Sequence, residues 1–285
     1  MNKLLHILTV LIILLALITS GLGLFYTTDG QPYNFINQYG DNIKIYGNGI
    51  YKNDTLFMAP IFRGTDCTIF FLAIPLTIIS LVLDIKKNTI KTKLFLTSLI
   101  ALFVYYSASI SLGIVYNVLH LIYIALFGSS FYALITGFTL LKNYKIKKDI
   151  KMQTNGLKIF LVFCGLSLFI AWLPDIITSI INKKSLELIE VYTTQITYVL
   201  DMGIISPLIF ICMYNLLKKN DIGYILLGII LTILIIIGIM LPIQSIFQIS
   251  AGVSIPIEAL ITKVGIFVLL AIVALYYEVK LFKSI

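Results

Sequence analysis

Arginine is all but absent from this chain: of 21 basic residues, only Arg63 is an arginine. Histidine occurs twice, as His6 and His120, which are expected at opposite membrane faces. That separation excludes bis-histidine haem ligation and a histidine metal cluster. Three cysteines, Cys67, Cys164 and Cys212, are odd in number and scattered, so they give neither a disulfide framework nor a metal spacing. Charged residues make up only 12% of the 285 residues, too few to clothe a soluble domain. Enzyme signatures are missing as well. There is no Cys-x-x-Cys, no series of spaced aspartates and no His-Glu-x-x-His. Gly128-Ser129-Ser130 resembles a serine-hydrolase elbow in composition alone, with no histidine downstream. No cofactor is implied.

What the chain has is apolar length. Hydrophobic residues are 59% of it, and eight runs approach the ~20 residues that cross a bilayer core. These are Leu4–Tyr26, Cys67–Leu83, Leu94–Val115, Val118–Leu141, Leu157–Leu173, Val191–Leu216, Ile222–Leu241 and Ala259–Tyr277. The expected fold is an all-α membrane protein of eight transmembrane helices, forming one polytopic domain over residues 1–285. The first run has features of a signal peptide, Lys3 before it and Thr19-Ser20-Gly21 within it. The apolar stretch continues through Leu22 and Leu24, so it is expected to stay as a span.

Lysine fixes the expected orientation. Fifteen of the 21 basic residues fall in every second gap, around Lys3, Lys86 to Lys93, Lys142 to Lys158, Lys218 with Lys219, and Lys280 with Lys283. The positive-inside rule then puts both termini in the cytoplasm of a cell membrane. The net charge of +8 would suggest a nucleic-acid partner in a soluble chain. Here it faces anionic lipid heads, and the bilayer is the expected partner.

One long external loop, 27–66, carries most of the polar sequence. Within it Asn42–Tyr46 and Ile50–Lys52 flank Gly47-Asn48-Gly49, a pattern that predicts a short hairpin. Its aromatic residues suit either a cap on the headgroups or a lid over an outward cavity. A second external connector, Pro174–Glu190, is expected to hold an interfacial helix over Ile176–Ile181. A third, the uncharged Pro242–Ile257, is expected to dip along the membrane surface. Tyr116-Asn117 predicts a tight turn that makes the third and fourth spans antiparallel neighbours.

The eight spans divide into two sets of four with the same orientation. In each set the second span contains a proline, Pro75 and Pro207, which strands the carbonyls of Phe71 and Gly203. Helices interrupted at matching positions of two halves point to a binding site in transporter folds, although transmembrane helices also tolerate ordinary kinks.

Asp201 is the sharpest candidate, read as close to the middle of the sixth span. A carboxylate there costs several kcal/mol unless it is paired, hydrated or protonated. With Glu190, Thr194 and Tyr198 it follows a helical spacing, which predicts a polar stripe on one face. It reads as an ion or substrate site, or as a structural acid bonded to a neighbouring helix. Arg63, the sole guanidinium, offers a fork suited to a carboxylate or phosphate, or simply pins the loop; Thr65 or Asp66 is placed to cap the second helix. His120 sits one turn inside the fourth span. Glu258 and Pro256 suit a helix start. Lys263 either snorkels outward or neutralises an acid such as Asp201. Arg63, Asp66, His120, Asp175 and Glu258 are expected to line an outward vestibule.

Tyr39-Gly40-Asp41, Gly47-Asn48-Gly49-Ile50-Tyr51, Ala59-Pro60-Ile61-Phe62-Arg63-Gly64-Thr65-Asp66, Tyr105-Tyr106-Ser107-Ala108-Ser109 and Asp201-Met202-Gly203-Ile204-Ile205-Ser206-Pro207 together resemble a family of uncharacterised bacterial polytopic integral membrane proteins. The resemblance spans most of the chain and implies a bacterial cytoplasmic-membrane protein, with no activity attached. The expected function is transporter-like, moving a small solute or ion with Asp201 as the working carboxylate. Two alternatives stand beside it: an enzyme acting on a lipid-linked substrate, and a non-catalytic sensor or assembly factor.

Overall fold

A computed structural model describes residues 1–144 and 154–285, with the side chains of Ala259 and Lys263 left out. Among the described residues, eight helices are long and apolar enough to cross a membrane: α1 Asn2–Phe25, α2 Met58–Lys87, α3 Ile90–Gly113, α4 His120–Leu141, α5 Asn155–Asn182, α6 Ile196–Leu217, α7 Asp221–Ser250 and α8 Leu260–Ser284. The protein is an all-α, multi-pass membrane protein. The two small strands described, β1 Tyr33–Ile36 and β2 Asn42–Ile45, form one antiparallel pair between α1 and α2.

Side-chain caps set several helix starts by satisfying amide groups that have no partner within the helix. Thr89 and Thr92 make a capping box at α3, Thr154 accepts from Leu157 N at α5, and Asn220 accepts from Ile222 N at α7. Asn88 (φ 44°) and Lys183 (φ 51°) end α2 and α5 in the left-handed conformation.

Helices α3 and α7 form the interior and are the most buried of the eight. Helix α7 packs on α2, α3, α6 and α8, while α1 packs on α2 and α4. Helix α5 lies against α6 and reaches α8 where the Phe160 and Tyr277 rings approach to 5.5 Å. The tight turn after Gly113 leaves α3 and α4 packed side by side, as expected.

Several expected boundaries move. Helix α2 begins at Met58, so residues 58–66 are helix and neither Thr65 nor Asp66 caps it. Thr55 Oγ1 instead accepts from Met58 N at 3.1 Å, and Pro60 lies in the first turn, where no backbone donor is needed. Helix α5 runs through Pro174 to Asn182, so the interfacial helix expected at Ile176–Ile181 is its continuation. Helix α7 runs through Pro242 to Ser250. Its last turns bond to α2, Gln244 Nε2 donating to Thr65 Oγ1 at 2.7 Å and Gln248 Nε2 to Phe57 O at 3.1 Å.

Both predicted proline sites coincide with local widening rather than breakage. Five residues of π-helix, Ile69–Ala73, precede Pro75 by one residue, and five more, Asp201–Ile205, precede Pro207 by one residue. A wider turn absorbs the donor that proline removes. A third π-helical turn, Leu260–Gly265, opens α8 without a proline.

The hairpin also differs from expectation. Its turn is 37–41, held by Asn37 Oδ1 accepting from Tyr39 N and Asp41 N, with Gly40 at φ 86°. Gly47 and Gly49 do take positive φ, 80° and 64°. They serve a loop that returns Lys52 and Asp54 to bond Gly47 and Tyr46, rather than pairing Ile50–Lys52 as a strand.

Candidate functional site

Segment 26–57 forms a strap across one face of the bundle. Tyr46, Tyr51, Asp54 and Thr55 fasten it to the helices beneath and to the 183–195 connector. Among the described residues, Lys86, Lys87, Lys218 and Lys219 lie at the opposite helix ends.

Asp201 is the sixth residue of α6, about 8 Å from the helix start, nearer the strap than the middle of the span. The difference arises because α6 begins at Ile196 rather than Val191. Glu190, at φ 46°, and the exposed Thr194 lie ahead of the helix, so the predicted four-residue stripe reduces to Tyr198 and Asp201. Asp201 is 6% exposed. Its Oδ1 accepts from Tyr105 Oη of α3 at 2.9 Å and its Oδ2 from Trp172 Nε1 of α5 at 2.8 Å. The Trp172 ring stacks on Tyr198 at 4.8 Å, and Tyr198 Oη donates to Asp175 Oδ2 at 2.8 Å. Three of the expected residues, Asp201, Tyr198 and Asp175, therefore meet in one cluster, with Tyr105 and Trp172 supplying the contacts.

A second cluster surrounds Asp66, which is fully buried in α2. Tyr51 Oη of the strap and Tyr106 Oη of α3 each donate to it at 2.6 Å. Gly23 of α1 presents bare backbone where a Cβ would run into the Asp66 carboxylate. Arg63 lies one turn away, and its described hydrogen bonds go to neutral oxygens. Its Nη1 donates to Tyr46 Oη at 2.8 Å, its Nη2 to Leu24 O at 3.0 Å, and the guanidinium sits 5.7 Å from the Phe247 ring centroid.

The other candidates stand apart. His120 packs its ring against Tyr116 at 5.4 Å. Glu258 is exposed in the short turn Ile257–Ala259, which follows Pro256 at the cap position. Lys263 lies in the π-helical turn that opens α8, and its side chain is outside the described residues. The donors described for Asp201 are a phenol and an indole.

Apart from Glu190, the remaining polar groups in contact were not singled out from the sequence. Asp54, 1% exposed, accepts at Oδ1 from Val115 N at 2.9 Å and from Tyr192 Oη at 3.0 Å. Burial raises its pKa from 3.8 to about 7, against the lowering effect of those two bonds. Thr55 Oγ1 donates to Glu190 Oε2, and burial raises that carboxyl too. Beside these groups an open groove of about 260 Å³ is lined by Asn42, Lys44, Phe57, Glu190 and Val253, among others. At the lysine-rich face Asp84 Oδ2 meets Lys93 Nζ at 2.7 Å and His6 Nε2 at 2.8 Å, and its Oδ1 accepts from Thr92 at 2.8 Å. In α8 the buried Glu278 accepts from Thr232 Oγ1 of α7 at 2.5 Å. A phenol or indole inside an apolar run has a donor to satisfy, and that was the available signal for Tyr105, Tyr106 and the single tryptophan. Compared with models of protein families, with curated proteins and with solved structures, the chain matches none.

Proposed function

We propose that this protein is a transporter-like membrane protein that moves a small solute or ion, with Asp201 as its coupling carboxylate. The observation that carries the reading is the setting of Asp201: a buried acid at the first position of a π-helical turn, bonded by neutral donors from two other helices. An ionised carboxylate within a span is costly, and two charge-assisted hydrogen bonds offset part of that cost. The same donors suit the protonated acid. A hydroxyl both donates and accepts, so Tyr105 can turn to receive the carboxyl proton, while the indole N–H still meets the other oxygen. The site therefore keeps its bonds in both charge states, which a proton- or cation-coupled cycle requires. The wide turn beside it, followed by Pro207, is a natural place for the helix to bend.

On this reading the strap lies outside a bacterial cytoplasmic membrane and the lysine-rich face is cytoplasmic, in keeping with the positive-inside rule and the family resemblance. Purified protein in liposomes, with an imposed proton or sodium gradient and a panel of small solutes, tests the proposal. Gradient-driven flux of solute or ion above that of protein-free liposomes supports it; flux equal to theirs under both gradients across the panel contradicts it.

A further inference from the structure

We infer that Asp66 is a second proton-binding site, the counterpart of Asp201 in the first half of the chain. The inference extends the transport reading of Asp201, and its test separates the two. Three observations converge. First, α2 and α6 share a register: a five-residue π-helical turn, one residue, then proline. Ile69 occupies the place that Asp201 takes in α6. Asp66 lies three residues before Ile69, on the same side of the helix. Second, both acids draw a phenol from adjacent positions of α3, Tyr106 for Asp66 and Tyr105 for Asp201. Third, Asp66 is wholly buried yet no cation lies within ion-pair distance among the described residues, where the ion pairs are those of Asp84.

The groups that face Asp66 come from every surrounding element. The strap supplies Tyr51, and α3 supplies Tyr106. Helix α4 supplies Tyr123, within electrostatic reach of Asp66 and of Asp54. Its own helix adds Cys67 and Arg63, whose charge reaches Asp66 although its hydrogen bonds go to Tyr46 and Leu24. Helix α1 adds the uncharged Thr19, 3.5 Å from the Tyr106 hydroxyl, and α7 adds Gln244, bonded to Thr65. A metal ion finds little here, because the oxygens at bonding distance are hydroxyls that already donate. A proton fits. Hydronium gives its proton to one carboxylate oxygen and leaves as water; the carboxyl O–H then donates to a phenol oxygen whose own hydrogen has turned away. The bond that Tyr51 makes changes from charge-assisted to neutral and weakens. Proton uptake at Asp66 is thereby tied to the hold on the strap.

Infrared difference spectra, recorded on the full-length protein in lipid nanodiscs during a pH titration, report protonated carboxyls directly. Wild type, Asp66→Asn, Asp201→Asn and Tyr106→Phe are compared. The inference predicts that Asp66→Asn loses one titrating carboxyl band and keeps the band that Asp201→Asn loses. It predicts that Tyr106→Phe retains the Asp66 band but shifts its frequency, a readout that stands even if Asp66→Asn fails to fold. A titrating signal unchanged by Asp66→Asn, or with Tyr106→Phe superimposable on wild type, overturns the inference. Loss of the Asp66 band in a protein that moves no solute or ion leaves this site in place and removes the transport reading. Flux that depends on Asp201, with no titrating Asp66 band, does the reverse.

Discussion

Tyr105 and Tyr106 are consecutive on α3, yet their hydroxyls bond carboxylates on different helices, Asp201 of α6 at 2.9 Å and Asp66 of α2 at 2.6 Å. Neighbouring helical residues point about 100° apart, so one turn of a largely buried helix touches both proline-containing spans. A rotation of α3 therefore moves both hydroxyls at once. The pair thus links the two acids through one helix.

At the lysine-rich face, Asp84 and Lys93 are both fully buried and 2.7 Å apart. Removing Lys93 leaves the buried Asp84 carboxylate with only His6 and Thr92, and Lys93→Met is expected to destabilise the protein by up to about 3–5 kcal/mol. Adding Asp84→Asn to Lys93→Met should recover most of that loss. Thermal unfolding of the two single variants and the double variant checks it. A Lys93→Met chain as stable as wild type would show that the pair contributes nothing.

Asp54 predicts a pH dependence of the strap. Its folded pKa of about 7 lies above the ordinary 3.8, so the folded state holds this proton more tightly than the unfolded chain does. The stability it contributes is fully present below about 4 and drains away as pH rises through about 7. Glu190, raised by burial, acts in the same direction. Asp54→Asn mimics the protonated acid and should match wild type at acid pH. Above neutrality it should be the more stable of the two, by on the order of a few kcal/mol. Melting temperatures of both chains across the range decide it, and a difference that stays constant with pH would count against the assignment.

Arg63 reaches three elements at once: Tyr46 in the strap, the Leu24 carbonyl at the end of α1, and the Phe247 ring of α7. A lysine ammonium lacks the planar fork needed to keep all three. Arg63→Lys is expected to lose most of the stability that Arg63→Ala loses, on the order of 1–3 kcal/mol. A lysine variant that melts with wild type would reduce the residue to a point charge.

The eight spans were legible because an apolar run of bilayer length has few other uses, and the turn between α3 and α4 followed from its brevity. Boundaries failed where polar side chains belong to a helix and bond inward. Arg63, Thr65 and Asp66 looked like loop, although their partners are Tyr46, Gln244, Tyr51 and Tyr106. Pro174 and Pro242 looked like terminators, but both helices continue through them. Asp201 could be read from its place in an apolar run. Its partners Tyr105 and Trp172 could not, since which phenol or indole reaches it depends on how α3 and α5 pack against α6. The strap's pairing was hidden for a similar reason: Gly47-Asn48-Gly49 announces positive φ, not which segments lie on either side of it.

The proposed orientation rests on lysine distribution and can be read with single cysteines in a background lacking Cys67, Cys164 and Cys212. Ile36, 70% exposed in β1, is expected to label with an impermeant thiol reagent from outside intact cells once it is cysteine. Lys87→Cys, on the lysine-rich face, should label only after the membrane is opened. The opposite pattern would invert the topology.

The most direct measurement compares wild type with Asp201→Asn in proteoliposomes under the same imposed gradient. Asparagine keeps the side chain's shape and an acceptor oxygen but cannot exchange a proton, and a neutral amide is cheaper to bury. The account predicts that the variant folds, inserts and melts at or above the wild-type temperature while gradient-driven flux falls to the level of protein-free liposomes. Wild-type flux in a well-folded Asp201→Asn protein would contradict it.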